Sequence, residues 1–294
     1  VDLDSLLVLA EISNSEGCAR TNEGWLKTGG DEKGRLEYYS KILYGHIQEL
    51  QQKSGMSTTH LPLVISGMAS STIGMVNLPY KEVPVLADGS DLRVEIVEET
   101  ASAPHKTFII SGVRTGDDVM RGEETKLVGC LGSNSDKEIL VLPGTHPKHV
   151  FVDQNRVTGF KTFMTGEFFE LLSTKSILAL SVKKSSEPNV NSFADGVKEG
   201  KSGNLLHSSF LVRTNALFEK YSQEQNFDFL SGLLIGSELK DVMNVNCPIT
   251  LLGAGKLAKL YEQAFEVLQI PLARQVNADE ALLKGQQKVL RNLL

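Results

Sequence analysis

Two successive series that mix short apolar segments with helical periodicity limit the chain to an α/β architecture with more than one sheet. In the first series, LPLVIS (61–66) is short, apolar and ends at Gly67, and residues 108–111 repeat the pattern, so both predict buried strands of one sheet. Leu36, Tyr39, Leu43, Ile47 and Leu50 recur at spacings of three and four, which predicts an amphipathic helix over 33–52 stopped by Gly55. The second series opens near Glu138 with ILVLP (139–143), HVFVD (149–153) and a piece around 160–165, three strands expected to run antiparallel. Helices are expected over 167–180, 228–243 and 257–268, with the strand ITLL (249–252) between the last two. A final helix over 278–294 places Leu282, Leu283, Gln286, Val289, Leu290 and Leu293 on one side. Residues 183–191, rich in Ser, Lys, Asn and Pro, read as an exposed loop. Residues 1–12 read as the end of a strand, a turn and a second strand. A start in mid-strand without Met leads to the expectation that about twenty native residues, roughly two strands, precede Val1.

A chain of 294 residues can bury one large core or two medium ones, and two series of strands and helices favour two domains with a ligand cleft between them. The formal charge of −6 argues against a nucleic-acid surface, which needs clustered Lys and Arg to displace phosphate counterions. Cys18, Cys130 and Cys247 are odd in number and far apart, so neither a disulfide framework nor a Cys-x-x-Cys metal pair is expected, and a reducing, cytoplasmic compartment fits best. No apolar run approaches the roughly 20 residues of a membrane helix, and the N-terminus has no signal-peptide pattern.

Several motifs admit both a chemical and a structural reading. GVKEGKS (196–202) mimics a phosphate-binding loop but is one residue short of the spacing that lets backbone amides wrap a phosphate, and it follows a helical stretch; a charged helix end is the better reading. GAGKLA (253–258) follows a strand and opens a helix. Gly253, Ala254, Gly255 and Lys256 therefore suit a nucleotide's phosphates, a nicotinamide dinucleotide, or a bare tight turn. In PGTHPKHV (143–150), Gly144, Thr145, His146 and Lys148 form either a plain turn or a hairpin tip that presents amides and a cation to phosphate oxygens. His146 and His149 lack a third nearby ligand, so no metal is assigned to them. MRGEETKLVG (120–129) sets Arg121, Glu123 and Glu124 at the start of an apparent helix, where carboxylates serve either the helix dipole or as a general base toward a hydroxyl.

SGMASSTIGM (66–75) with Pro79-Tyr80, MRGEETKLVG, LPGTHPKHV (142–150), FKTFMTGEF (160–168), FLSGLLIGSE (229–238) and ITLLGAGKLAKLYEQAF (249–265) together resemble blocks of the 2-dehydro-3-deoxygalactonokinases, in order and over most of the chain. The resemblance implies two ribonuclease-H-like domains of the actin/hexokinase type with mixed sheets, residues 1–125 and 126–294, the last helix returning to the first domain. They would close over ATP-Mg²⁺ and a sugar acid. It implies ATP-dependent phosphorylation of the 6-hydroxyl of 2-dehydro-3-deoxygalactonate in galactonate catabolism. Gly67, Met68, Ser70 and Ser71 would then meet the sugar acid, and Arg121 its carboxylate or a phosphate. Gly144, Thr145, His146 and Lys148 would form the second phosphate loop, Gly253 to Lys256 the adenosine-side turn, and Glu123 rather than Glu124 the base. Met75 stands where the family usually has Trp, and the family's Asp-Trp-Gly phosphate loop would lie ahead of Val1. A homodimer is compatible with this family, and neither nucleic acid nor membrane is an expected partner. A nicotinamide-dependent dehydrogenase built on Gly253 and Gly255, or a sensor that binds nucleotide or sugar without turnover, remain the alternatives.

Overall fold

The computed structural model describes residues 1–100, 103–132, 137–184 and 187–294, with the backbone alone for residues 32 and 33. It is a mixed α/β protein whose chain divides into two compact units: Val1–Ser135, Asn155–Thr158 and Asp279–Leu294 in the first, Asp136–Gln154 and Gly159–Ala278 in the second.

Unit 1 opens on helices α1 (Cys18–Lys27) and α2 (Glu32–Ser54). The Asp31 side chain accepts from the Gly34 amide and so caps α2, an interaction worth about 1 kcal/mol. Trp25 of α1 and Tyr39 of α2 pack with Met75 and Ile109 into one core cluster. Strand β1 (Leu63–Ile65) leads into a 3₁₀ turn, Met68–Ser70. Two short strands, β2 (Lys81–Glu82) and β3 (Val85–Leu86), precede β4 (Val94–Val97) and β5 (Thr107–Ile110). Strand β5 is central in a three-stranded sheet, parallel to β1 (Leu63 opposite Thr107) and antiparallel to β4 (Val94 opposite Ile110). All four residues of β5 are buried, as a strand covered on both faces requires. Strands β6 (Val113–Arg114) and β7 (Val119–Met120) join β2 in a second small sheet and deliver the chain to helix α3 (Glu123–Cys130).

Residues 1–12 do not form the two strands expected of them. A turn closes over Asp2 to Ser5, where the Asp2 carboxylate accepts from the Ser5 amide, and the flanks have no ladder partner among the described residues. A short apolar piece becomes a strand only where a neighbouring strand receives its backbone groups.

Unit 2 is built on β8 (Glu138–Leu142), β9 (Lys148–Asp153), β10 (Arg156–Thr162), β11 (Ile249–Gly253) and β12 (Arg274–Asn277), in the order β12-β11-β8-β9-β10. Strand β11 is parallel to β8 and β12, and β8 is antiparallel to β9. The first residues of β10, counted with unit 1, pair with β3, Val157 opposite Val85. Around this sheet lie α4 (Thr165–Thr174), α5 (Val190–Ser202), α6 (Leu205–Leu217), α7 (Gln223–Leu239) and α8 (Gly255–Leu268). The expected helix over 167–180 breaks after Thr174 and resumes as a 3₁₀ turn, Ile177–Ser181. Of the loop expected over 183–191, residues 185–186 lie outside the described residues, and α5 begins at Val190.

GVKEGKS lies within α5, and its glycines serve packing. A methyl group on Gly196 would stand 2.1 Å from the Phe229 carbonyl oxygen of α7, and one on Gly200 2.1 Å from that of Leu233. Gly232 and Gly236 of α7 approach the α5 backbone as closely, at Phe193 and Val197. The two helices interlock backbone against backbone.

The chain ends in α9 (Ala278–Leu293), counted from Asp279 with unit 1. It crosses α3 at the same close range, with Gly129 facing the Ala281 carbonyl and Gly285 that of Thr125. Gln286 donates to the Val64 carbonyl and to Ser66 Oγ, which ties α9 to the strand that enters the SGMASS turn.

Candidate active site

In unit 1 the SGMASS and MRGEET segments meet. Gly67 has φ 90° and ψ −147°, a region open in practice only to glycine, and it lets the chain reverse from β1 into the 3₁₀ turn. Gly122 has φ 109°, and a Cβ there would lie 3.2 Å from Gly67 Cα. The two turns are therefore in contact through their glycines.

Arg121 binds the turn together. Its Nη1 donates to the Ser70 carbonyl at 2.5 Å and to Ser70 Oγ at 2.6 Å, and its Nη2 reaches the Leu78 carbonyl at 3.5 Å. The guanidinium lies 4.1 Å from the Tyr80 ring centroid, a cation–π contact. From the other side Arg35 donates to the Thr72 carbonyl and Tyr39 to that of Ile73 at 2.7 Å. Side chains thus occupy the carbonyls of residues 70, 72 and 73 and fix the loop's shape. Ser70 and Ser71 are buried, whereas Met68 is exposed.

The adjacent carboxylates of α3 have different surroundings. Glu123 is half-buried and accepts from the Arg121 amide at 3.0 Å. Glu124 is fully buried; it accepts from the Gly122 amide at 2.7 Å and from Thr125 Oγ1 at 3.1 Å. Burial, aided by the Glu123 charge, pushes the Glu124 carboxyl up to about 7 against the amide hydrogen bonds that lower it. Both side chains cover amides at the start of α3, whose cap position is a glycine with no side chain of its own.

In unit 2 the PGTH and GAGKL segments also meet. Strands β8 and β11 are neighbours, so the turns that follow them lie side by side, and a Cβ on Gly253 would stand 3.4 Å from Pro143 Cγ. The tip is fixed from α4: the Glu167 amide donates to the Thr145 carbonyl, His146 Nε2 lies 2.6 Å from Glu167 Oε2, and Gly166 allows the Gly144 and Thr145 backbone within reach. Lys148 is buried and donates to the His146 carbonyl at 3.1 Å. Beside the tip opens a cavity of ≈590 Å³ whose lining includes Gly144, Thr145, Thr165, Gly166, Lys256 and Tyr261. Gly253, Ala254 and Gly255 form the turn that carries Lys256 to it, and Ala254, at the cap position of the fourteen-residue α8, offers no side-chain acceptor to the first-turn amides. His146 and Lys148 shape the tip and are not among the lining residues.

Much of the lining was not foreseen in the sequence. Phe169 and Phe227, edge to face with centroids 4.9 Å apart, supply an apolar wall, and Lys184 and Lys259 add positive charge. Among the described residues Asp228 is the one carboxylate in the lining; burial raises it, against a hydrogen bond from the Asn189 amide at 2.6 Å. These residues come from three helices and a loop, and no local spacing links them. Among the described residues no group of three or more His, Cys, Asp and Glu side chains forms a metal site, and no helix is long and apolar enough to cross a membrane.

The family model described as 2-keto-3-deoxy-galactonokinase matches residues 7–289. The chain belongs to this family. It is 33% identical over 215 residues to the 2-dehydro-3-deoxygalactonokinase of Escherichia coli (strain K12), covering 70% of this chain and 71% of that protein. It is 32% identical to a probable 2-dehydro-3-deoxygalactonokinase of Rhizobium meliloti (strain 1021), over 95% of this chain and 88% of the relative. The crystal structure of a candidate 2-dehydro-3-deoxygalactonokinase from Sinorhizobium meliloti superposes with a TM-score of 0.80 at 30% identity, covering 97% of this chain and 89% of that one. Membership of the galactonokinase family leaves the dehydrogenase and sensor alternatives without support.

Proposed function

We propose that this kinase transfers the γ-phosphoryl group of ATP to the 6-hydroxyl of 2-dehydro-3-deoxygalactonate, giving ADP and 2-dehydro-3-deoxy-6-phosphogalactonate. The observation that carries the assignment of parts is the unit 2 cavity, where the PGTH tip and Lys256 meet at a helix start that lacks a side-chain cap. Unpaired amides at a helix N-terminus favour an anion, and Lys256 adds a positive charge, so this end suits the ATP phosphates. Phe169, Phe227 and Leu260 offer the nucleoside an apolar surface, and Asp228 suits a hydroxyl or amino donor better than a phosphate. Mg²⁺ is expected to arrive with ATP, held largely by its phosphates, and would neutralise their charge. The finer fold reading, two ribonuclease-H-like domains of the actin/hexokinase type, is supported by the family and by the two compact units.

In unit 1, Gly67, Met68, Ser70 and Ser71 are the proposed contacts of the sugar acid. Arg121 keeps that loop in shape through Ser70 and presents a positive charge to the sugar's carboxylate. Glu123, more open than Glu124, takes the proton of the 6-hydroxyl as its oxygen bonds to the γ-phosphorus and the bond to the β–γ bridging oxygen breaks. ADP release from the purified protein, measured against a panel of keto-deoxy sugar acids, should depend on 2-dehydro-3-deoxygalactonate. Glu123→Gln should lower kcat by about two to four orders of magnitude. ATP binding without sugar-dependent ADP release would refute the activity, and near-normal turnover of the variant would remove Glu123 from the role.

A further inference from the structure

Beneath the wall of the unit 2 cavity, three side chains from three elements converge on one carboxylate. Glu238, in the last turn of α7, is 3% exposed, and His149 of β9 is 0% exposed. Glu238 Oε1 lies 3.1 Å from His149 Nε2. Its other oxygen accepts from Thr165 Oγ1 at 2.5 Å and from the Tyr261 hydroxyl at 2.7 Å. Thr165 is the first residue of α4 and Tyr261 lies in α8; both line the cavity, beside the Gly144–Thr145 tip. His149 stands three residues past that tip's histidine, on the strand that leaves it, with its ring 4.4 Å from that of Phe163.

A carboxylate so deeply buried is costly unless hydrogen bonds satisfy it, and here they come from β9, α4 and α8. The hydroxyls of Thr165 and Tyr261 turn inward to Glu238. Each bond therefore fixes where α4 and α8 stand relative to α7, and so the width of the cavity and the attitude of its phosphate-facing turns. Removal of the carboxylate would leave the buried Tyr261 hydroxyl and the half-buried Thr165 hydroxyl without this acceptor and let α4 and α8 drift.

We infer that Glu238 is a positioning residue for the nucleotide: it holds α4, α8 and the PGTH strand in the arrangement that accepts ATP, without touching ATP itself. This rests on the reading of the cavity as the nucleotide site. It separates the hydrogen-bonding geometry of Glu238 from its charge, because Gln can accept from Thr165 and Tyr261 with its oxygen and donate to His149 Nε2 with its amide nitrogen.

Steady-state kinetics on the full chain, varying ATP and the sugar acid separately, tests it. Glu238→Ala should raise the KM for ATP about tenfold or more while the KM for the sugar acid stays within about twofold, and Glu238→Gln should recover most of the loss. If Glu238→Ala does not fold, the double variant Tyr261→Phe with Thr165→Val, which removes the two donors and keeps the carboxylate, should give the same split at about threefold to tenfold. An unchanged KM for ATP, an equal rise in both KM values, or a Gln variant as impaired as Ala would overturn the inference while leaving wild-type ATP use intact. Wild-type protein that neither binds ATP nor turns it over would overturn the nucleotide reading, and this inference with it.

Discussion

Replacing Glu124 by Gln should make the protein more stable at pH 8 and remove part of its pH dependence. In the folded chain the carboxyl titrates at about 7 instead of 4.5, principally because it is buried. A group whose proton is held more tightly in the folded state gives full stability below the unfolded pKa. That stability is lost as pH rises from about 4.5 through about 7, and the loss levels off above. A rise of that size corresponds to roughly 3 kcal/mol at most. Gln is neutral throughout, and its amide oxygen can still accept from the Gly122 amide that Glu124 Oε2 serves. The difference in stability between variant and wild type should therefore be small at pH 5 and grow to as much as about 3 kcal/mol at pH 8. This corresponds to about 6–12 °C in the melting temperature of a unit this size. Parallel thermal and urea melts of both proteins from pH 5 to pH 8 measure that difference, in which other titrating groups cancel. Curves that stay parallel, or a variant less stable at pH 8 than wild type, would refute the assignment of a buried, high-pKa carboxyl to this position.

Arg121→Lys should raise the KM for the sugar acid by about tenfold with the KM for ATP unchanged, because an ammonium cannot serve Ser70, reach the Leu78 carbonyl and stack on Tyr80 together as the planar guanidinium does; equal effects on both substrates would count against the loop assignment. Gly196→Ala should destabilise the protein by about 1–3 kcal/mol, or prevent folding, since its methyl would meet the Phe229 carbonyl of α7 at 2.1 Å. ATP affinity of whatever fraction folds should survive, and a variant of wild-type stability that has lost ATP binding would restore the phosphate-loop reading of GVKEGKS.

The amino-acid sequence was most informative where structure is local. A helix reports its buried face within a few residues, so the three/four spacing that begins at Leu36 marks α2 (Glu32–Ser54), and the same signal marks α7 and α9. Short apolar runs between turn residues likewise mark β1, β5, β8, β9 and β11. The family blocks identified the chain because they are long and ordered, whereas a single glycine pattern misleads. The glycines of GVKEGKS and those of GAGKL are alike as text. The first pair lies against a neighbouring helix and the second opens α8 beside a cavity, a distinction made by residues more than thirty positions away.

For the same reason the short apolar pieces of residues 1–12 suggest strands but pair with none among the described residues: an apolar piece describes a segment to be buried, and a strand also needs a partner for its backbone. Composition and spacing named Thr145, Lys256, Arg121 and Glu123 as chemistry-bearing. They gave no hint that Glu238 gathers His149, Thr165 and Tyr261, or that Glu124 is sealed from water while Glu123 is not. Hydrogen bonds of a few ångströms between residues up to 89 positions apart, and the burial that shifts a proton's affinity, exist only once the chain has folded. Local periodicity therefore determined the elements, and tertiary packing decided which polar groups are buried, which of them meet, and what each can do.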